Sequence, residues 1–315
     1  MIPNVLSIAG SDPSGGAGIQ ADLKVFSALG VYGMAVITAL TAQSTVSVTG
    51  VRPVPAEWVA AQIDSLASDV RIDAVKIGML GDAGVVEAVA AALERHRWSC
   101  VVLDPVMVSK SGHRLLAPEA VEAVRSRLIP LVDLVTPNLP EAADLLGRAG
   151  GEDEDEAGME EQARRLLDGG ARRILLKGGH LAATAESVDV LLQPGAAPVR
   201  LRAPRVATRN DHGTGCALSS AITALMARQR LDQPRAQPRA RPRAQMSDER
   251  DQWRTAVEGA KAYLTGALRE SSRLEVGSGE GHGPVHHFWD VWGDTNRHEP
   301  TCLGEPAPTG VGKLP

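Results

Sequence analysis

The sequence has few aromatic residues, few cysteines and little net charge. Aromatic side chains make up 3% of the 315 residues, which disfavours a protein that stacks nucleic-acid bases on an aromatic platform. The formal net charge of −5 supplies no basic field for a polyanion, so nucleic acid is not expected as a partner. The widely spaced Cys100, Cys216 and Cys302 form no CxxC pair, and they indicate neither a disulfide framework nor a zinc site.

Long apolar runs are also missing from the sequence. No stretch reaches the roughly 18 apolar residues that a membrane helix needs, and no membrane partner is expected. The short apolar start, MIPNVLSIAG, lacks the basic flank of a signal peptide. These features predict a cytoplasmic protein with reduced thiols.

Short β-rich runs alternate with amphipathic segments along the first 227 residues. The predicted strands are Val5–Ala9, Ala35–Leu40, Ala74–Ile77, Val101–Leu103 and Leu134–Thr136, and the predicted helices are Ile19–Leu29, Glu57–Leu66, Val85–Leu93, Pro118–Leu128 and Glu160–Leu167. This alternation is typical of an α/β domain with a mostly parallel sheet covered by helices on both faces. Ligands in such folds bind at the carboxyl ends of the strands.

Two segments depart from this pattern. Residues 230–251 contain PRAQPRARPRAQ, a composition that cannot pack a core and predicts a disordered insertion. Residues 289–315 are rich in proline and glycine and are expected to form a loose tail. The prediction is therefore one domain over residues 1–288, interrupted at about 230–251.

A glycine-rich turn, HGTGC at residues 212–216, runs directly into an apolar segment, ALSSAITALMA. Gly213 and Gly215 allow close approach of an anion, and a helix beginning here would direct free N–H groups at it. Such a site suits a transferring phosphoryl group. Cys216 falls in the first helical turn, where a lowered pKa would make it a base or an anion contact; the alternative is a small buried apolar residue.

Charged residues stand at the ends of three further predicted strands. Asp104 and Glu141 are oxygen ligands of the kind that hold Mg²⁺ through its waters, and Lys177 is placed to neutralise phosphate charge. A second glycine-rich loop, Gly10–Gly18, has neither the P-loop nor the dinucleotide spacing. Its position after the first strand favours a substrate lid.

These blocks together resemble the hydroxymethylpyrimidine/phosphomethylpyrimidine kinase family over residues 2–227 and 252–288. The blocks are GSDPSGGAGIQAD, VITALTAQ, KIGMLGD, LDPVMVSKSG, TPNLPEA, LLKGGH, NDHGTGCALSSAI and GPVHHF. The resemblance implies a ribokinase-like three-layer αβα sandwich and a homodimer. It also implies ATP and Mg²⁺-dependent phosphorylation of 4-amino-5-hydroxymethyl-2-methylpyrimidine and then of its monophosphate, for thiamine biosynthesis.

The resemblance also implies roles for individual residues. Gln43 would pair with the ring nitrogen and amino group of the pyrimidine, in a pocket also lined by Gly10, Asp22, Met79 and Val106. Asp104 and Glu141 would form the Mg²⁺ environment; Asn138, Lys177 and His212 would contact the nucleotide; Gly213, Thr214, Gly215 and Cys216 would form the catalytic anion hole. Asp211 departs from the family pattern, where threonine is expected, and adds negative charge near the phosphate path.

Two other functions fit part of this pattern. A pyridoxal kinase would share the fold and the phosphate site, although Gln43 and Met79 favour a pyrimidine. A non-catalytic pyrimidine-binding regulator would have no need of Asp104, Glu141, Lys177 or the glycine turn. The kinase is therefore the favoured interpretation.

Overall fold

A nine-stranded sheet lies at the centre of the computed structural model, which describes residues 1–109, 112, 114–148, 155–179, 181, 185–231 and 243–293. The strands are β1 (Asn4–Ser11), β2 (Tyr32–Gln43), β3 (Val48–Pro53), β4 (Ala74–Ile77), β5 (Val101–Leu103), β6 (Leu134–Val135), β7 (Ile174–Lys177), β8 (Glu186–Leu192) and β9 (Val199–Pro204). The α-helices are α1 (Gly18–Ala28), α2 (Ala56–Asp69), α3 (Ala83–His96), α4 (Pro118–Ala123), α5 (Leu139–Leu145), α6 (Glu156–Asp168), α7 (Thr214–Leu231) and α8 (Arg243–Arg269).

The sheet has the strand order β3-β2-β1-β4-β5-β6-β7-β8-β9. The six strands from β2 to β7 in this order run parallel to their neighbours. The three remaining pairings, β2 with β3, β7 with β8 and β8 with β9, are antiparallel. The predicted mostly parallel sheet is confirmed, and its parallel strands bring their carboxyl ends to one edge.

Helices cover both faces of the sheet, because side chains alternate along each strand. Leu6 and Ile8 of β1 join a core with α2 to α6. Val5, from the same strand, joins a second core with α1, α7 and α8, where Phe26 and Trp253 are fully buried. The three-layer α/β architecture is thus confirmed.

The predicted elements are present; β4 and β5 have the predicted bounds, and the others differ from them. The strand predicted at Ala35–Leu40 extends over Tyr32–Gln43, and α4 continues through a wide turn to Leu128. Asp82 caps α3, where its carboxylate accepts from the N–H of Val85 at 2.9 Å. The sequence reasoning missed β3, β8 and β9.

The prediction of a disordered segment over residues 230–251 is wrong at both ends. Helix α7 continues to Leu231 and α8 begins at Arg243. Glu249 on α8 forms ion pairs with Arg173 at 3.3 Å and with Arg230 at 3.4 Å. Residues 232–242 lie outside the described part of the chain.

The first residues of the predicted tail pack on the body. The ring of Trp289 lies so close to Gly266 of α8 that a side chain on this glycine would collide with it. Residues 294–315 lie outside the described part. Among the described helices, none is both long and apolar enough to cross a membrane.

Candidate active site

The residues predicted to form the site gather at the carboxyl edge of the sheet. They are Gly10 in β1, Gln43 at the end of β2, Met79 after β4, Asp104 and Val106 after β5, Asn138 and Glu141 after β6, Lys177 at the end of β7, and the turn before α7. Parallel strands bring their ends together in this way, which is why residues far apart in sequence meet here.

The glycine turn at the start of α7 is tightly packed. Gly213 has a φ of +78°, and a Cβ at this position would collide with the carbonyl oxygen of Gly16. A Cβ on Gly215 would lie 3.3 Å from Lys177 Nζ and 3.4 Å from Asp104 Oδ2. The N–H groups at the start of an eighteen-residue helix therefore lie beside a lysine ammonium, an arrangement that can bind an anion and that we call the anion-binding corner.

Lys177 connects the two predicted metal-binding carboxylates. Its Nζ is 2.7 Å from Asp104 Oδ1 and 3.8 Å from Glu141 Oε2. Asp104 also accepts from Thr136 Oγ1 at 3.1 Å and from Ser219 Oγ at 3.4 Å. The two acids thus share one cation.

The electrostatics of the two carboxylates differ. Burial opposes ionisation of Asp104, but Lys177 and Lys76 hold its pKa below the usual value. Burial raises the pKa of Glu141 to about 7; Lys177 opposes this rise and the Asp104 carboxylate adds to it. Asp104 therefore carries its charge at neutral pH, whereas Glu141 stands near its titration point.

This donor set fits Mg²⁺. The described residues contain no cluster of three or more His, Cys, Asp or Glu side chains that could hold a metal. Mg²⁺ does not require one, since it keeps several waters and binds through one or two carboxylates together with substrate phosphates. Asp104 and Glu141 supply that number.

Asn138 and Glu141 also have a structural role as the reciprocal cap of α5. Glu141 N donates to Asn138 Oδ1 at 2.8 Å, and Asn138 N donates to Glu141 Oε2 at 2.8 Å. Because the Asn138 oxygen accepts from the helix, the predicted contact with a nucleotide phosphate would use its NH₂ group.

The predicted lowering of the Cys216 pKa is wrong. Burial raises the pKa of this half-buried thiol to about 11; Lys76 opposes the shift, and the carboxylates of Asp22 and Asp104 add to it. The position at a helix N-terminus does not offset the desolvation and the two negative charges. The thiol is neutral at physiological pH.

Asp22 lies in a closed network and does not line an open pocket, contrary to the prediction. The side chain is fully buried. Both of its oxygens accept from Lys76 Nζ at 2.9 Å, and it accepts from Ser7 Oγ at 2.6 Å and from Ser220 Oγ at 2.7 Å. The network joins α1, β1, β4 and α7 beneath the anion-binding corner.

Two of the remaining predicted pocket residues, Gly10 and Met79, lie together near the strand ends. A Cβ on Gly10 would be 3.0 Å from Met79 Sδ, and the N–H of Val106 donates to the carbonyl of Asp104 at 2.8 Å. Gln43 lines a cleft with His212 and His282. Gln43, from the predicted pyrimidine pocket, therefore lies beside His212, the residue that precedes the glycine turn of the anion-binding corner.

Two site residues were missed by the sequence reasoning. Asp12, in the first glycine-rich loop, lies 2.8 Å through Oδ2 from His212 Nε2, which is itself 3.2 Å from Gln43 Nε2. Lys76 is fully buried. A lysine within an apolar strand was a visible signal, because such a residue needs a buried acid; the pairing of Asp12 had no such signal.

Asp211, which departs from the family pattern, pairs with the C-terminal segment. Its Oδ1 is 2.7 Å from His282 Nδ1. The histidine supplies a partner for the extra carboxylate.

Comparisons with known proteins show the family of this chain. A family model described as phosphomethylpyrimidine kinase matches residues 12–240. A hydroxymethylpyrimidine/phosphomethylpyrimidine kinase of Salmonella typhimurium is 51% identical over 92% of this chain and 98% of its own. A solved phosphomethylpyrimidine kinase of Clostridium difficile is 37% identical, with a TM-score of 0.67 over 84% of this chain and 99% of its own. A Staphylococcus aureus pyridoxal kinase in complex with AMP-PCP and pyridoxal is 30% identical, with a TM-score of 0.76 over 92% of this chain and 95% of its own. The chain belongs to the phosphomethylpyrimidine kinase family.

Proposed function

We propose that the protein transfers phosphoryl groups from ATP to 4-amino-5-hydroxymethyl-2-methylpyrimidine and then to its monophosphate, giving the pyrimidine diphosphate for thiamine biosynthesis. The observation that carries the proposal is the start of α7 beside Lys177, with Asp104 and Glu141 bound to the same lysine. His212, which precedes the glycine turn of this corner, lies beside Gln43. An acceptor hydroxyl and a phosphate donor can therefore meet there.

The residues of the corner stabilise charge during the transfer. The N–H groups at the start of α7 and the Lys177 ammonium would bind the oxygens of the transferring phosphoryl group, whose charge must be stabilised in the transition state. Mg²⁺, held by Asp104 and Glu141 through its waters, would neutralise the nucleotide phosphates. Positioning and electrostatics supply most of the catalysis in this class of reaction.

Gln43 would orient the pyrimidine. A carboxamide offers a donor and an acceptor, which match the ring nitrogen and the exocyclic amino group. We expect Gln43→Ala to weaken pyrimidine binding by about 1–3 kcal/mol and to leave ATP binding unchanged in calorimetric titrations. Equal losses for both ligands would contradict this role.

The S. aureus neighbour, whose structure contains pyridoxal, supports a second candidate substrate. Turnover of the aminopyrimidine and of pyridoxal with Mg-ATP should be measured in parallel, with product identified as mono- or diphosphate. Formation of both pyrimidine phosphates is the expected result. Robust phosphorylation of pyridoxal without any pyrimidine product would overturn the proposal.

The proposal includes a homodimer, as the family resemblance implies. The sheet edge at β2 and β3 exposes the apolar side chains of Leu40 and, in the following turn, Val46. Sedimentation velocity of the wild type and of Leu40→Asp tests whether this edge takes part in association.

A further inference from the structure

Asp12 determines where the proton of His212 lies. The Asp12 side chain is 2% exposed, and its carboxylate accepts from Ser14 N at 2.9 Å, Ser14 Oγ at 2.7 Å and Ala17 N at 2.8 Å. Burial opposes its ionisation, but the hydrogen bonds from His212 and Ser14 keep its pKa below the usual value. A carboxylate offers only acceptors, so the His212 Nε2 atom 2.8 Å away carries a hydrogen, in the neutral or the charged ring alike.

The same nitrogen faces the carboxamide of Gln43. Gln43 Nε2 is placed 3.2 Å from His212 Nε2, so two N–H groups oppose each other in this orientation. An amide oxygen at the same place would accept the His212 hydrogen jointly with Asp12. His212 therefore requires the oxygen end of the carboxamide.

Thr41 constrains the other end of the Gln43 carboxamide. Thr41 Oγ1 is 2.9 Å from the carbonyl oxygen of Ser11 and 3.3 Å from Gln43 Oε1. The hydroxyl has one hydrogen, and the carbonyl of Ser11 can only accept it, so Thr41 Oγ1 can only accept from Gln43. Thr41 therefore requires the NH₂ end.

His212 and Thr41 both require the Gln43 carboxamide to be turned by 180°. The turn exchanges its oxygen and its NH₂ group, which have nearly the same shape. We infer that Asp12 and His212, with Thr41, fix the Gln43 carboxamide with its oxygen toward His212 and its NH₂ toward Thr41, and so set the donor–acceptor order that the pocket offers to a ligand. Asp12 and His212 act through Gln43 and are positioning residues. The inference rests on the proposed pyrimidine substrate.

A fixed order discriminates between two edges of a pyrimidine. The 4-amino form presents a ring-nitrogen acceptor beside an amino donor, whereas the 4-oxo form presents a ring N–H donor beside an oxygen acceptor. A carboxamide free to turn would serve both. A carboxamide fixed in this orientation would place donor against donor and acceptor against acceptor with the 4-oxo form. Sites that recognise a ligand through such hydrogen bonds reject mismatched ligands strongly.

The test compares the 4-amino substrate with its 4-oxo analogue, 5-hydroxymethyl-2-methylpyrimidin-4-one, in wild type and two matched pairs of variants. The wild type should prefer the amino form by about 100-fold or more in kcat/KM. His212→Gln, whose Nε2 takes the place of His212 Nε2, should keep this preference, and His212→Asn, whose NH₂ stops short, should lower it about tenfold. Thr41→Ser should keep it and Thr41→Val should lower it. A loss of ATP binding reduces both rates together and leaves the ratio unchanged, so an unchanged ratio in His212→Asn overturns the inference.

A second measurement is independent of turnover. Two-dimensional NMR of protein labelled with ¹⁵N-histidine reports which ring nitrogen of His212 carries hydrogen, with His212→Gln identifying its signals. Hydrogen on Nε2 supports the orientation, and a bare Nε2 overturns it. If the wild type phosphorylates neither pyrimidine, the proposed function fails, while this spectrum and the calorimetric binding ratio of the two pyrimidines still decide the inference.

Discussion

The Cys216 thiol carries its proton at neutral pH, since burial and the carboxylates of Asp22 and Asp104 raise its pKa to about 11. It can therefore donate a hydrogen bond, but it is not a preformed base. The neutral thiol can donate a hydrogen bond to the transferring phosphoryl group, whose charge must be stabilised in the transition state, so we expect Cys216 to contribute to the chemical step more than to binding.

We expect Cys216→Ala to lower kcat by about a hundredfold with little change in KM. Cys216→Ser is the matched control. A hydroxyl also donates a hydrogen bond in its neutral form, so serine should retain most of the rate if the neutral thiol is the working species. Steady-state kinetics of the three proteins test this. Serine as damaging as alanine would point to a thiolate, and full activity of the alanine variant would make Cys216 a packing residue.

Glu141 should make the metal-free protein less stable as pH rises. Its folded pKa of about 7 lies above the ordinary value of 4.5, so the folded state holds the proton to higher pH than the unfolded state does. The free energy of unfolding from this group is thus greatest below about pH 4.5 and falls until about pH 7.

Glu141→Gln removes this titration while keeping an acceptor for Asn138 N. Its melting temperature relative to wild type should rise by about 3 °C or more between pH 5 and pH 7.5 in EDTA, measured by calorimetry. Glu119→Gln, at an exposed position on α4, is the matched control for the loss of one carboxylate. A constant difference between Glu141→Gln and wild type would contradict the assignment.

At the scale of residues, the sequence located the site better than it assigned partners. Asp104, Glu141 and Lys177 were predicted because strand ends can be read from apolar runs, whereas Gln43 was implied by the family resemblance. The Asp12–His212 contact joins residues 200 positions apart, and no local pattern encodes it. Asp22 was misplaced for the same reason, because its bonds to Lys76 arise only after β4 packs beside β1.

At the scale of elements, two glycine-rich loops pack on each other to form the site. The loop before α1 contributes Gly16 and Asp12, and the turn before α7 contributes His212 and Gly213. Sequence alone predicted both loops and the helices they open. It missed β3 and β9 because these strands keep many half-buried and exposed positions, which weakens the apolar signal of a strand.

Gly213→Ala tests this contact between loops, with Gly30→Ala as the control for backbone strain. Both glycines have positive φ, +78° and +73°, so alanine costs each about 1–2 kcal/mol. Only at Gly213 would the new methyl group also strike Gly16, since nothing lies within 4 Å of a Cβ on Gly30. Gly213→Ala should therefore melt at a lower temperature than Gly30→Ala and lose tenfold or more in kcat/KM. Equal effects of the two substitutions would show that the loops do not depend on this close approach.

At the scale of the whole molecule, helices α7 and α8 connect the candidate site to the C-terminal part of the chain. They pack together over the core that contains Trp253, and α7 begins at the glycine turn of the candidate site. Glu249, near the beginning of α8, pairs with Arg230 of α7 and with Arg173 next to β7. The second turn of α8 therefore contributes ion pairs to α7 and to the residue before β7, a point that composition could not reveal within a proline- and arginine-rich stretch.

Two changes in this region should have opposite outcomes. Replacing residues 232–242 by a Gly/Ser linker of equal length should leave kcat and the melting temperature nearly unchanged, because DQPRAQPRARP has no apolar periodicity with which to add to a core. Deleting residues 231–249 should lower the melting temperature by several degrees, since it removes Glu249 and leaves the half-buried Arg173 and Arg230 without that carboxylate. Glu249→Gln, made in the full chain, separates loss of the ion pairs from loss of helix and should show part of the decrease. Scanning calorimetry and steady-state kinetics measure all three.

A large loss of activity or stability on replacing residues 232–242 would mean that its arginines contact the body of the protein. An undiminished melting temperature after deletion of residues 231–249 would refute the role given to the start of α8.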